Sequence, residues 1–410
     1  MKSILFVDDE PLILAGLQRL LRAHRNEWDM TFAGSGAEAL ALLETRPFDA
    51  VVTDMRMPAM DGAKLLELVR ERSPGTIRIV LSGYFESATA LRAVPVAHQY
   101  LAKPCDPRKL REAIERSCGI SSLLPDEALR RVVGAIGALP ALPRTSLLLA
   151  AALEKPDIPL GEIGRIVEHD VAITAKLLQL VNSAFFCLPY RVTSVRGAVA
   201  YLGLDTLKQL VLSIDLFRSM RPRQTIAGFS LTEFEEHSHL AARIAARLPA
   251  AEAVVATGIV ASVLHDAGKL VLAAHLPHEF GLALEASRTG QRPLYVVEME
   301  QMGTTHAEIG AYLLGLWGLS GAVVDAVCRH HRPEVPEGGR AGLDVLAITH
   351  LADGLAGEVA HNKTPDKAAE ALPAGAELLN HEYLAKLGVE AELPAWRAMA
   401  QEVHDGPQGG

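Results

Sequence analysis

The sequence predicts an α/β unit with a doubly wound parallel sheet over about the first 118 residues, followed by an all-α domain. Five β-branched, aliphatic runs, Ser3–Val7, Asp29–Ala33, Ala50–Asp54, Arg78–Ser82 and Gln99–Lys103, carry the first expectation. They alternate with helical patterns at Pro11–Ala23, Gly36–Thr45, Gly62–Arg72, Phe85–Val94 and Pro107–Cys118. The second rests on the lack of strand alternation from Asp126 onward. Helix-period apolar residues punctuated by Pro and Gly recur instead, at Asp126–Leu139, Ser146–Leu153, Leu160–Glu168 and Ala172–Val181. A chain of 410 residues, 49% hydrophobic but only 5% aromatic, has room for two or three cores.

The third strand, Val51-Val52-Thr53-Asp54, is apolar enough to be covered on both faces, and Met57-Pro58 and Asp61-Gly62 stop it and turn the chain. Asp54 should then face solvent at the strand end, the edge of an open α/β sheet where ligands bind. The first strand ends in Asp8-Asp9-Glu10. These acids could serve only the start of the next helix. Set beside Asp54, Asp8 and Asp9 would repel it unless a hard cation intervened, and oxygen-only ligation favours Mg2+. Two further strand ends offer a hydroxyl at Ser82 and an ammonium at Lys103.

These separated positions resemble the receiver domain of two-component response regulators. The resemblance implies a flavodoxin-like sheet of order 2-1-3-4-5 and transfer of a phosphoryl group from a sensor histidine kinase to Asp54. It also implies Mg2+ held by Asp8, Asp9, Asp54 and the Arg56 carbonyl, Lys103 pairing with the phosphate, and Ser82 and Tyr100 as switch residues.

The net charge of −9 disfavours nucleic acid as a partner. Met1-Lys2-Ser3 leads straight into a strand, and no apolar run is expected to reach the length that spans a bilayer, so no membrane role and a cytoplasmic location are expected. Cys105, Cys118, Cys187 and Cys328 lack ligand-type pairing and read as reduced thiols.

Gly119-Ile120-Ser121-Ser122 and Pro125 mark a break. The expected divisions are 1–118 for the receiver, 119–131 for a linker and entry helix, 132–336 for the helical domain and 337–410 for a C-terminal helical extension with a disordered end. Leu139-Pro140-Ala141-Leu142-Pro143 presets an extended entry. His169–Leu178, Val181-Asn182-Ser183-Ala184-Phe185 and Val195–Gly203 then resemble the HD-related output domain (HDOD) found behind bacterial receivers. Asn182-Ser183 also reads as a helix cap. Later helices are expected near Leu343–Val359, Pro365–Leu372 and Glu377–Leu387.

Ser262-Val263-Leu264-His265-Asp266-Ala267-Gly268-Lys269 puts an imidazole and a carboxylate together at a helix end. Alone it reads as a surface pair of Asp266 and Lys269 with a histidine on the helix dipole. Glu235 and His239 share a face at i, i+4, although Thr232–Glu235 also fits a capping box. His306 opens a helix, where the dipole favours the neutral ring; His330-His331 closes one; Asp353 lies on a later helix. Jointly they resemble the metal site of the HD phosphohydrolase superfamily. By that resemblance His239, His265, Asp266 and Asp353 form the basic set. Glu235, His306, His330 and His331 match the further ligands of its multinuclear, cyclic-dinucleotide-cleaving branch, Lys269 supports catalysis, and the metal is iron, manganese or zinc. Arg332-Pro333-Glu334 follows, without the Gly-Tyr-Pro of that branch.

Two readings follow. The helical domain is either a regulatory binding module for a downstream protein, or a receiver-gated metal phosphohydrolase acting on a nucleotide or cyclic dinucleotide. Either admits a homodimer.

Overall fold

The computed structural model describes residues 1–83, 96–103, 107–136, 158–168, 170–181, 192, 194–201, 226–335, 342–363 and 378–406. Helices expected at Phe85–Val94, Ser146–Leu153 and Pro365–Leu372 lie outside these residues, as do Leu139–Pro143, Asn182-Ser183, Cys105, Cys187 and the side chains of Ser82 and Tyr100.

Strands β1 (Lys2–Val7), β2 (Trp28–Ala33), β3 (Ala50–Asp54), β4 (Ile77–Gly83) and β5 (Gln99–Lys103) form one parallel sheet of order β2-β1-β3-β4-β5. Ile4, Leu5, Phe6, Ala50, Val51 and Val52 are buried, as strands covered by helices on both faces must be. The covering helices are α1 (Pro11–Leu20), α2 (Gly36–Thr45), α3 (Gly62–Arg72) and α4 (Pro107–Gly119). Register pairs Val7 with Thr53, Asp54 with Leu81 and Gly83 with Lys103, so the functional strand ends arrive at one edge.

A 3-10 turn, Ile120–Leu123, leads to α5 (Glu127–Gly134), capped by Asp126. This helix ends at Gly134, whose carbonyl accepts from buried Arg78 (2.6 Å). Here the two halves of the protein meet. His98 Nδ1 accepts the Arg78 backbone N–H (3.1 Å), so Nε2 carries the proton and donates to Gly134 O (3.0 Å). Gln179 Nε2 reaches across to the His98 carbonyl (2.9 Å), and Lys176 Nζ stands 5.0 Å above the Trp317 ring.

The remainder is helical: α6 (Leu160–Glu168), α7 (Val171–Val181), a short helix at 195–201, α8 (Leu231–Ala245), α9 (Glu252–Leu264), α10 (Ala267–His275), α11 (Pro277–Gly290) and α12 (Leu294–Met302). They are followed by α13 (His306–Leu316), α14 (Gly321–Arg329), α15 (Val345–Lys363), α16 (His381–Leu387) and α17 (Leu393–Asp405). Among the described residues no strand follows β5. The helices after 343 are built into this half rather than appended to it. Leu240 and Ile244 of α8 share an apolar cluster with Leu351 and Leu355 of α15, Tyr383 of α16 and Trp396 of α17. Helix α17 lay outside the expected set, although buried Trp396, Ala400 and Val403 follow helical spacing.

Contrary to the expectation of no such run, residues 252–275 are long and apolar enough, by length and composition alone, to cross a membrane. Most of the stretch is buried within the protein, and its centre carries His265 and Asp266, as in a pair of core helices.

Candidate functional site

At the sheet edge Asp54 is largely buried, at 8% exposure, rather than facing solvent, because Lys103 lies across it. The Lys103 ammonium bridges Asp54 Oδ1 and Asp8 Oδ2, the latter at 2.6 Å. Burial alone would depress the lysine pKa, but the hydrogen bonds it donates to Asp54 and Asp8 raise it, so it stays charged. Asp54 Oδ2 accepts the Arg56 backbone N–H (2.7 Å), Asp8 Oδ1 accepts that of Glu10 (2.9 Å), and Asp9 is exposed. The loop after Asp54 closes against the strand because Gly62 has no side chain: a Cβ there would stand 2.1 Å from the Asp54 carbonyl oxygen. Two carboxylates around a single ammonium give an oxygen-rich pocket of the type Mg2+ prefers.

The larger constellation lies between α8, α9, α10, α13, α14 and α15. Asp266, His306, His330 and His331 form one group of convergent ligand atoms, and His237, His265 and Asp353 a second, each with its atoms within 4.8 Å of one another. The groups adjoin. His265 Nε2 is 3.3 Å from both Asp266 Oδ2 and Asp353 Oδ1, while Asp266 Oδ1 is 3.2 Å from His306 Nε2. Asp353 Oδ1 also lies 3.0 Å from His237 Nε2.

Outer contacts fix which ring nitrogen faces inward. His265 Nδ1 donates to Ser262 O (2.6 Å) and His330 Nδ1 to Val327 O (2.7 Å), so the Nε2 of each ring faces the centre. Burial would lower the pKa of His265, but the Asp266 and Asp353 carboxylates beside Nε2 hold it well above its ordinary value. His306 Nδ1 meets the fully buried Glu298 carboxylate at 2.6 Å. Burial holds His330 down to about 3 and His331 well below its ordinary value, keeping both neutral. Burial also works on His306, but Glu298 prevails and raises it to about 9, overriding the helix dipole from which a lowered value was expected. His265 Nε2, His330 Nε2 and Asp266 Oδ1 are buried without a hydrogen-bond partner among the described residues. Imidazole nitrogens and carboxylate oxygens converging in a buried site need either protons or a cation between them, and this mixed donor set fits a transition metal.

Gly268 brings the two sides of this centre together. A Cβ on it would lie 1.9 Å from the His306 carbonyl, so its absence lets α10 start against the first turn of α13. That turn is held by a capping box of Thr305 and Glu308.

Two expected ligands lie outside both groups, and one of them has a substitute. His237, not His239, meets Asp353, because residues two apart on a helix point to opposite sides. Glu235 lies in neither ligand group. It is buried, accepts the Val171 N–H at 3.3 Å, and is pushed up to about 9 by burial and then by Asp170. The expected Thr232–Glu235 capping box is also absent, since Ser230 caps the helix and accepts from Glu233 N. His265, Asp266, His306, His330, His331 and Asp353 converge as expected. Lys269 donates to Asp266 Oδ2 at 2.8 Å from a side chain only 11% exposed, so this is no surface pair. Sequence reasoning missed Glu298, a lone buried acid in an apolar helix. It also missed His350, whose Nδ1 meets the His330 carbonyl at 2.7 Å, and Tyr295, stacked on His331 with centroids 4.6 Å apart.

A family model for the response regulator receiver domain matches residues 4–115 and one for the HDOD domain matches 139–333. An uncharacterized protein of Treponema pallidum is 27% identical over 229 residues, 55% of this chain and 44% of that protein. The acid tolerance regulatory protein ActR of Rhizobium meliloti is 41% identical over 106 residues, 26% of this chain and 54% of that one. The chain thus spans less than two thirds of these curated relatives. Among solved structures, the MmoQ response regulator of Methylococcus capsulatus is 25% identical, with a TM-score of 0.44, over 61% of this chain and 97% of that one. A signal receiver domain of an HD domain-containing protein from Pseudomonas fluorescens is 33% identical, with a TM-score of 0.27, over 28% of this chain and 92% of that one.

Proposed function

Since the chain belongs to the response regulators that join a receiver domain to an HDOD domain, we propose that phosphoryl transfer from a sensor histidine kinase to Asp54 sets the state of its helical half, a regulatory binding module. The carrying observation is the Lys103 ammonium held between Asp8 and Asp54. In the transfer an Asp54 carboxylate oxygen attacks phosphorus, and the phosphorus–nitrogen bond to the kinase histidine breaks. Lys103 is placed to turn from the carboxylates to the new phosphate, which carries about −1.5 to −2 charge. Mg2+ held by Asp8, Asp9, Asp54 and the Arg56 carbonyl would offset the rest. Strands β4 and β5 run from this edge to Arg78 and His98, where the helical half is docked, so displacement of either strand reaches α5 and α7. The net charge of −9 supports a protein or small-molecule partner rather than nucleic acid.

The convergence of His237, His265, Asp266, His306, His330, His331 and Asp353 favours a second reading, a receiver-gated metal phosphohydrolase. Iron, manganese or zinc held there would polarise a phosphoester and lower the pKa of a bound water. Asp266 spans the two ligand groups, Lys269 orients that carboxylate, and Glu298 fixes the His306 ring.

One experiment addresses both readings. Asp54→Asn should abolish labelling by acetyl phosphate, and full labelling of the variant would place the site elsewhere. Protein purified anaerobically without metal-affinity resin should carry a transition metal, and the His265→Ala, Asp266→Ala double variant should lose it while still being labelled at Asp54. Failure of the native protein to hold or take up metal would leave the binding module alone.

A further inference from the structure

The metal centre opens to solvent on one side. His265 and His306 are fully buried and Asp266 nearly so, whereas the side chains of His237, His331 and Asp353 are 25%, 17% and 15% exposed. Beside that opening, half-buried Tyr295 lies parallel to the His331 ring, with 15° between planes, and the Arg332 guanidinium sits 5.1 Å from the centre of the Tyr295 ring. Arg332 is exposed and has no carboxylate partner among the described residues. Its backbone is nonetheless anchored, since Arg332 N donates to Arg329 O (2.9 Å) and Pro333 after it is buried. An arginine held on an aromatic face beside a metal-type centre, with its fork of donors free, is organised to receive an anion.

We propose that Arg332, seated on Tyr295, is the anion-binding element of this mouth. The ligand of the site is then a phosphoester that bears a second anionic group on its alcohol portion. This rests on the phosphohydrolase reading. The inward-facing histidine and aspartate atoms would surround one phosphoryl group. The Tyr295 centroid lies 4.6 Å from that of His331 and the Arg332 guanidinium 5.1 Å from the Tyr295 centroid, so the guanidinium is placed beside the centre to take another group on the same molecule. Lys269, drawn onto Asp266 at 2.8 Å, is already committed inside.

The test uses the full chain loaded with Mn2+ and two probes, a thymidine dinucleotide with a free 5′-hydroxyl and the same dinucleotide with a 5′-phosphate. Affinities are read by titration calorimetry and metal content by atomic emission. The 5′-phosphorylated probe should bind at least about tenfold more tightly, as expected for one hydrogen-bonded ion pair. Arg332→Ala should erase that preference without changing metal content or affinity for the unphosphorylated probe. Arg332→Lys should restore part of it, since lysine keeps the charge but not the fork. A wild type with no preference, or a preference that survives Arg332→Ala, overturns the assignment. If the wild type takes up no manganese, the phosphohydrolase reading falls. The anion site then stands only if the Arg332-dependent preference persists in the metal-free protein.

Discussion

Glu298 shows one buried side chain setting the chemistry of another. Its Oε2 accepts both the His306 backbone N–H at 2.9 Å and the ring Nδ1–H at 2.6 Å, so it fixes the ring's orientation and directs Nε2 into the centre. Outer carboxylates of this kind typically alter metal affinity about 10–100-fold. Glu298→Gln keeps the volume and loses the charge, and it should weaken metal binding by that factor in chelator competition while leaving the far-ultraviolet circular dichroism unchanged. An unaltered affinity would reduce Glu298 to a packing role. Nothing in the local sequence singles this residue out, because a glutamate in an apolar helix reads as a solvated position. Asp8, Asp54 and Lys103 were legible at the same scale, since each stands directly at a strand end whose pattern is clear.

Among elements, the junction of α10 and α13 decides whether the centre exists. Gly268 and Gly310 face each other there, and a Cβ on Gly268 would strike the His306 backbone, which cannot swing aside as a long side chain could. Gly268→Ala should therefore push the helix starts apart and cost about 1–3 kcal/mol, as overpacking does. Asp266 and His306 would separate with them, so metal should be lost even at temperatures where the variant remains folded. Thermal denaturation followed by metal analysis of the folded fraction checks both parts; a variant of native stability and full metal content would refute the close approach. Helix α15 makes the same point for the end of the chain. Asp353 lies beyond the stretch matched by the HDOD model, yet it joins His237 and His265, because the apolar side of α15 packs onto α8 and α9.

At the scale of the whole molecule, the two halves are joined through a buried, cationic contact. Lys176, 4% exposed on α7, has its pKa lowered from 10.5 to about 7, first by burial and then by the Arg78 guanidinium from the receiver half. Between pH 7 and 10.5 the unfolded chain holds this proton and the folded one does not, so stability from this group rises with pH across that window. Equivalently, it is lost as pH falls toward 7. Lys176→Met should raise the melting temperature near pH 7 and flatten its increase toward pH 9. An unchanged slope would mean that Lys176 stays protonated in the folded protein. The same contact places the ends of β4 and β5 remote from Asp54 against the helical half, so a change at Lys103 has a strand's length to travel before it meets Gln179.

The sequence by itself determined the parallel sheet, the acidic edge with its lysine and the helical second half, and its resemblance to the HD phosphohydrolase superfamily named six of the seven residues that converge in the second site. Each depends on local information: strand patterns end visibly, and a His-Asp pair or a His-His pair is chemistry written in adjacent letters. Tertiary structure alone decided which of His237 and His239 faces Asp353, since both lie on one helix and only its rotation against α15 separates them. It also decided that Glu235 packs against α7 instead of a metal, that Glu298 and His350 brace the ligands, and that Arg78, His98 and Lys176 form the seam. These are meetings of residues distant in the chain. What selects them is the packing of apolar helix faces, which the period of a helix announces but whose partner it does not name.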